Sequence, residues 1–186
     1  MTVDETLRDA EHKMKTAVSH SLDELASIRS GRANPRLLDR VQVEYYGTRV
    51  PINQLASFSV PEPRLLVIQP FDRTTMGAME KAIMQSDLGL SPSNDGNVIR
   101  LAFPPLTEER RKDLIKLAHQ RAEDGRVAVR NVRRHAKDSL ERLERDHAIS
   151  EDDLRRSEKE LQRVTDQYVG EVDELLERKE KELTEV

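Results

Sequence analysis

The sequence predicts an α+β fold in two domains: a long three-helix bundle interrupted by a small α+β module with β-sandwich-like strands. Three observations carry that prediction. All eight prolines, all three phenylalanines, two of the three tyrosines and five of the seven glycines fall within residues 30–106, and these residue types end helices or build sheets. Those 77 positions hold 15 charged side chains, against 51 in the other 109. The flanking segments carry apolar residues mostly at steps of three, four and seven, the signature of a helix that buries one face. The expected boundaries are therefore 1–29 with 107–186 for a discontinuous bundle, and 30–106 for the inserted domain.

The first helix is expected over Val3–Arg29. Thr2 and Glu5 fit a capping box, and Leu7, Ala10, Met14, Ala17, Val18, Leu25 and Ile28 form one stripe. In the module, Val41, Val43 and Tyr45 alternate with Gln42, Glu44 and Tyr46, which predicts a strand ending at a turn around Gly47. Further strands are expected over 48–52, 56–60, 65–69 and 98–103. Thr74–Leu88 reads as a short helix turning Met76, Met79, Ile83 and Met84 towards a sheet, and Asn94–Asn97 as a turn. The second long helix starts at Thr107, an N-cap just after Pro104 and Pro105, with Glu108 and Glu109 at the positive end of the dipole. Its stripe is Leu114, Ala118, Ala122, Val129, Val132, Ala136, Leu140 and Leu143. The helix is then a rod of roughly 60 Å at about 1.5 Å per residue. Gly125 falls on the stripe at a cost of about 1 kcal/mol against alanine, so a close approach of another helix is expected there. Ser150 and Asp153 form a capping box for the third helix, with Ile149 and Leu154 placed as a hydrophobic staple. Leu154, Leu161, Val164, Tyr168, Val172, Leu175 and Leu183 complete its stripe. Gly170 lies off that stripe and has no explanation.

A short connection makes the last two helices antiparallel neighbours. The first joins them only if residues 30–106 leave the bundle and return to its same end. The connectors Ser30-Gly31-Arg32 and Phe103-Pro104-Pro105-Leu106 then act as adjacent tethers, one freed by glycine and one stiffened by proline. They read either as a hinge formed by Ser30, Gly31, Pro104 and Pro105 or as plain helix ends.

There is no cysteine, no basic and apolar leader, and no apolar run near the roughly 20 residues that span a bilayer. A soluble cytoplasmic monomer is expected. With 36% apolar and 3% aromatic residues, a broad core is out of reach, whereas a seam between helices needs less. The net charge is −4, yet residues 107–149 sum to +3 and residues 150–186 to −6. Opposite faces of a bundle lie roughly 20 Å apart. The Debye length is about 8 Å at physiological salt, so the positive field of the middle helix persists.

That field has a geometry. Lys112, Lys116, Arg126, Arg130, Arg133, Arg134 and Lys137 fall within an arc of about 100° beside the apolar stripe. Between residues 112 and 141, Glu123 and Glu141 are the acids that interrupt it. The arc is either a solvated face laced with ion pairs or a track for RNA phosphates. Five phosphate contacts would give a salt slope of about −3.5. Catalytic and cofactor motifs are missing. His12, His20, His119, His135 and His147 have no metal-ligand spacing, and no phosphate-binding or nucleophile motif occurs. Capping accounts for Glu151-Asp152-Asp153. No enzyme, cofactor, metal or DNA partner is expected. The rival readings are a helical coiled-coil adaptor and a small-domain enzyme built around Asp72 or Asp95.

Six strings in order along the chain carry a resemblance: IRSGRANP (28–35), VEYYG (43–47), EKAIMQSDLGL (80–90), FPPLTEERRKDL (103–114), VAVRNVRR (127–134) and ISEDDLRR (149–156). Together the chain resembles the bacterial ribosome recycling factor family over essentially its whole length. The resemblance implies a two-domain, L-shaped molecule that mimics tRNA and binds the post-termination ribosome. It further implies that elongation factor G, through GTP hydrolysis, helps the factor split the subunits. By resemblance, Arg29, Arg32, Arg130 and Arg133 face large-subunit ribosomal RNA, and the inserted domain meets elongation factor G. The full candidate set for RNA contact is Arg29, Arg32, Lys116, Arg126, Arg130, Arg133, Arg134 and Lys137.

Overall fold

In chain order the elements are α1 (Val3–Ala26), β1 (Gln42–Tyr45), β2 (Thr48–Pro51), β3 (Ala56–Glu62), β4 (Leu65–Pro70), α2 (Met76–Gln85), β5 (Pro92–Asn94), β6 (Ile99–Ala102), α3 (Glu108–Arg145) and α4 (Glu151–Thr184). The computed structural model describes residues 2–185 and gathers them into two units. One comprises the residues up to Arg29 with Glu108–Glu185, and the other is Ser30–Thr107.

The first unit is a bundle in which α1, α3 and α4 all pack on one another. Local chemistry sets the helix ends. At α1 the Glu5 N–H donates to Thr2 Oγ1 at 3.2 Å while the Thr2 N–H donates to Glu5 Oε2 at 2.7 Å. The same reciprocal box opens α4, with Asp153 N–H on Ser150 Oγ at 3.1 Å and Ser150 N–H on Asp153 Oδ2 at 3.2 Å. Between them α3 stops in a Schellman arrangement. His147 takes a left-handed φ of 55°, and Ala148 N–H reaches Leu143 O at 2.9 Å. The connection of residues 146–150 therefore returns α4 antiparallel to α3.

The core of the bundle includes Ala10, Met14, Val129, Ala136, Leu140, Leu161, Val164 and Tyr168. Leu25, Ile28, Leu114, Ala118, Ala122, Val172, Leu176 and Leu183 are also buried. An added Cβ at Gly125 would overlap Ser21 Oγ on α1 and lie 3.5 Å from Val172 Cγ1 on α4, so the three helices meet there, as its place on the stripe predicts. One expectation is corrected, and one buried residue is added. On α4 the buried leucine is Leu176 rather than Leu175, and Lys179 is buried one step further along. The α4 stripe thus runs 161, 165, 168, 172, 176, 179, 183, and Lys179 Nζ is held by Glu182 Oε2 at 3.2 Å. The stripes also admit Thr6, Ser21, Ser157 and Thr165. Each of these hydroxyls donates to the carbonyl four residues back, at 2.7–3.0 Å, so it enters an apolar seam already satisfied.

The second unit pairs a hairpin, β1–β2, with a four-stranded antiparallel sheet of order β3-β4-β6-β5. The hairpin turns through Tyr46 and Gly47, whose φ values of 47° and 79° are those of a primed two-residue turn. In the sheet Phe58 faces Ile68 across β3–β4, and Leu66 and Ile68 face Leu101 and Ile99 across β4–β6. A register shift between Ser59 and Glu62 accommodates Pro61, whose missing N–H suits a bulge. Val43, Ile52, Leu66, Ile68, Met79, Ile83, Ile99 and Leu101 are fully buried. Met84, expected to face the sheet, is 64% exposed, because it sits a full 100° step beyond Ile83. β5 was not expected as a strand, since a Pro-Ser-Asn segment has no apolar alternation.

Candidate nucleic-acid interface

The cationic arc of α3 meets α4 along one side of the bundle. Down that seam, His119 pairs with Glu180, Arg126 Nε with Asp173 Oδ1 at 2.7 Å, Arg133 Nη1 with Gln162 Oε1 at 2.8 Å, and Lys137 Nζ with Glu158 Oε1 at 3.4 Å. The antiparallel run and the heptad spacing of His119, Arg126 and Arg133 bring them to α4 in turn. The arc is therefore split lengthwise, with one edge against α4 and the other in water.

Each candidate residue occupies a distinct position. Lys116 and Arg134 lie on the water edge and carry no ion pair among the described residues. Arg130 is exposed and holds Glu123 only loosely, at 3.4 Å. Arg133 is half-buried with a neutral partner. Lys137 is shared between Glu141 at 3.7 Å and Glu158. Arg126 is different, with its side chain only 19% exposed and clamped by Glu123 at 2.8 Å as well as Asp173. Burial pulls its pKa down, but the hydrogen bonds to Glu123 and Asp173 outweigh that and raise it. Arg126 straps α3 to α4 and has little left to offer a ligand. Arg29 is exposed just beyond α1, and Arg32 is half-buried in the connector that opens the second unit.

Two cations escaped the sequence reading. Arg155 and Lys159 of α4 line a cleft with Arg133, Lys137, Glu158, Leu161 and Gln162. Summing residues 150–186 as one acidic segment hid them, although their spacing of four places them on a single helix face.

The acids once considered for catalysis build turns instead. Asp72 Oδ1 accepts from the Thr74 Oγ1 at 2.7 Å and the Thr74 N–H at 2.9 Å, and these bonds hold its pKa below the usual carboxylate value. The Asp95 carboxylate takes the N–H groups of Val98 and Asn97, each at 3.0 Å, and Arg100 at 2.6 Å. Those two backbone donors and then the guanidinium bring its pKa down to about 2.

At the other candidate region, Gly31 has a left-handed φ of 76°, and a Cβ there would lie 3.3 Å from Leu106 Cγ and 3.7 Å from the Pro104 carbonyl. The two connectors thus touch. Both are fastened to the β3–β4 turn, Ala33 N–H to Pro63 O and Phe103 N–H to Arg64 O, at 2.8 Å each.

The family model described as ribosome recycling factor matches residues 22–184. The chain belongs to the ribosome recycling factor family. The ribosome-recycling factor of Acidothermus cellulolyticus is 55% identical over 184 residues, which covers 99% of this chain and all of that one. A solution structure of a ribosome recycling factor aligns over 100% of this chain and 99% of its own, with 46% identity and a TM-score of 0.76. A second structural relative comes from models for the T. thermophilus ribosome recycling factor and the E. coli elongation factor G bound to the E. coli post-termination complex. It is 47% identical, with a TM-score of 0.65 and coverage of 98% of this chain and 99% of that one. Membership in the ribosome recycling factor family thus extends over both units.

Proposed function

We propose that this chain binds the post-termination ribosome and, with elongation factor G and GTP, splits it into subunits for a new round of translation. The observation that carries the proposal is its end-to-end likeness, at 47% identity, to a factor placed with elongation factor G on the post-termination complex. The exposed cations of α3 support the same reading, because phosphate contacts need charge in water rather than charge consumed by the bundle. Arg130, Arg133, Arg134, Lys116 and Lys137 are the contacts to ribosomal RNA in this account, joined by Arg29 and Arg32 near the connectors. Arg126 holds the face in shape. The factor acts as a monomer, in the cytoplasm, and does no covalent chemistry of its own. Ser30, Gly31, Pro104 and Pro105 form the hinge through which the second unit swings. An adaptor function has nothing comparable in its favour.

The test is light scattering of purified ribosomes mixed with the chain, elongation factor G and GTP, alongside sedimentation binding. The wild-type chain lowers scattering as subunits separate, and Arg133→Ala weakens binding about tenfold while the helical circular dichroism stays unchanged. Loss of one charge-assisted contact is worth roughly 1.5–3 kcal/mol. No fall in scattering with the wild type would refute the proposal.

A further inference from the structure

We propose that the cleft between α3 and α4, lined by Arg133, Lys137, Arg155 and Lys159, binds a phosphodiester group of an RNA backbone, so that α4 supplies two of the contacts. The inference rests on the RNA-binding reading above and extends it to a helix whose overall charge is negative.

The cleft has a volume of about 330 Å³, at the small end of the roughly 300–1,000 Å³ typical of ligand clefts. Four cations, one acid, one amide and one leucine line it. No aromatic ring is among them, so a base finds nothing to stack on, whereas guanidinium and ammonium groups suit phosphate oxygens. Such contacts hold a strand without reading its sequence.

The cations are also available. Arg133 donates to the neutral amide of Gln162, and Lys159 has no ion pair among the described residues. Arg155 holds Glu151 at 2.6 Å with both side chains about 70% exposed, and a pair so open to water is weak and exchanges readily. Glu158 is the one acid of the lining, 3.4 Å from Lys137.

Local charge agrees. Residues 150–163 contain four basic and five acidic side chains, a net −1, while residues 164–186 contain three basic and eight acidic, a net −5. The acidity of α4 is concentrated away from the cleft, further than the Debye length of about 8 Å over most of its length.

The experiment measures ribosome binding by the full chain across a salt series. It compares the wild type with Arg133→Ala, the double variant Arg155→Gln/Lys159→Gln, and Glu158→Gln. Each lost phosphate contact flattens the slope of log affinity against log salt by about 0.7–0.9. The double variant removes two such contacts, so it should flatten the slope by about 1.4–1.8 and bind severalfold more weakly. Glu158→Gln should bind more tightly, since it removes the one acid of the lining and leaves Lys137 only its looser contact to Glu141 at 3.7 Å. A double variant with wild-type slope and affinity, or a weaker Glu158→Gln, overturns the inference. If Arg133→Ala still weakens binding in that case, the proposed function stands. Wild-type binding indifferent to salt would instead count against the RNA-binding reading itself.

Discussion

Gly125 is where a single atom matters most. Alanine there would favour the helix by about 1 kcal/mol in propensity, yet its Cβ would overlap Ser21 Oγ and press within 3.2 Å of Ser21 Cβ. Overpacking of that kind costs about 1–3 kcal/mol, so Gly125→Ala should destabilise the bundle in urea unfolding. Ser21→Ala added to it should recover part of the loss, and strictly additive effects would show that the two sites do not touch. Asp95 gives a second check at this scale. Its folded pKa lies below the unfolded value near 3.9, so its stabilisation of the β5–β6 turn is complete above pH 4 and is lost as pH falls towards 2. A carboxyl titration by NMR should give a midpoint of about 2, and a midpoint near 4 would deny the turn its three donors.

Among the elements, α4 depends most visibly on its first turn. Ser150 both caps the Asp153 N–H and receives that aspartate's carboxylate on its own N–H, after a five-residue connection with a left-handed His147. Ser150→Ala should cost about 1 kcal/mol, read as a lower denaturation midpoint of the helical signal. No change in the midpoint would mean that the α3–α4 contacts alone set the start of the helix. The α3–α4 seam also decides which cations of α3 are spent inside the bundle. Arg126 is neutralised at the seam, while Lys116 and Arg134 stay in water.

For the molecule as a whole, the proposed hinge is tested at the connectors. Hydrogen bonds to the carbonyls of Pro63 and Arg64 pin the connectors on the second unit at Ala33 and Phe103. Proline cannot replace Gly31 as a stiffener, because it fixes φ near −65° and the native value is +76°. The informative change is the loosening of the other tether. Pro104→Gly with Pro105→Gly should leave ribosome affinity within about twofold and slow subunit splitting, if the swing transmits work. Splitting at the wild-type rate would dismiss the hinge as a mechanical part.

Much of this was legible along the chain, for a physical reason. Caps at Thr2 and Ser150, the stripes of α1 and α3, and the alternation from Val41 to Tyr45 are short-range patterns. Each is set by hydrogen bonds or side-chain periods spanning only a few residues. The family strings pointed to the function for the same reason, being contiguous. Tertiary structure alone decided which cations remain free. Whether Arg126 meets Asp173, whether Lys179 is buried, and whether Arg155 joins Arg133 around one cleft all depend on the register between helices. That register is settled by packing between residues dozens of positions apart, such as Gly125 against Val172, and no local pattern carries it.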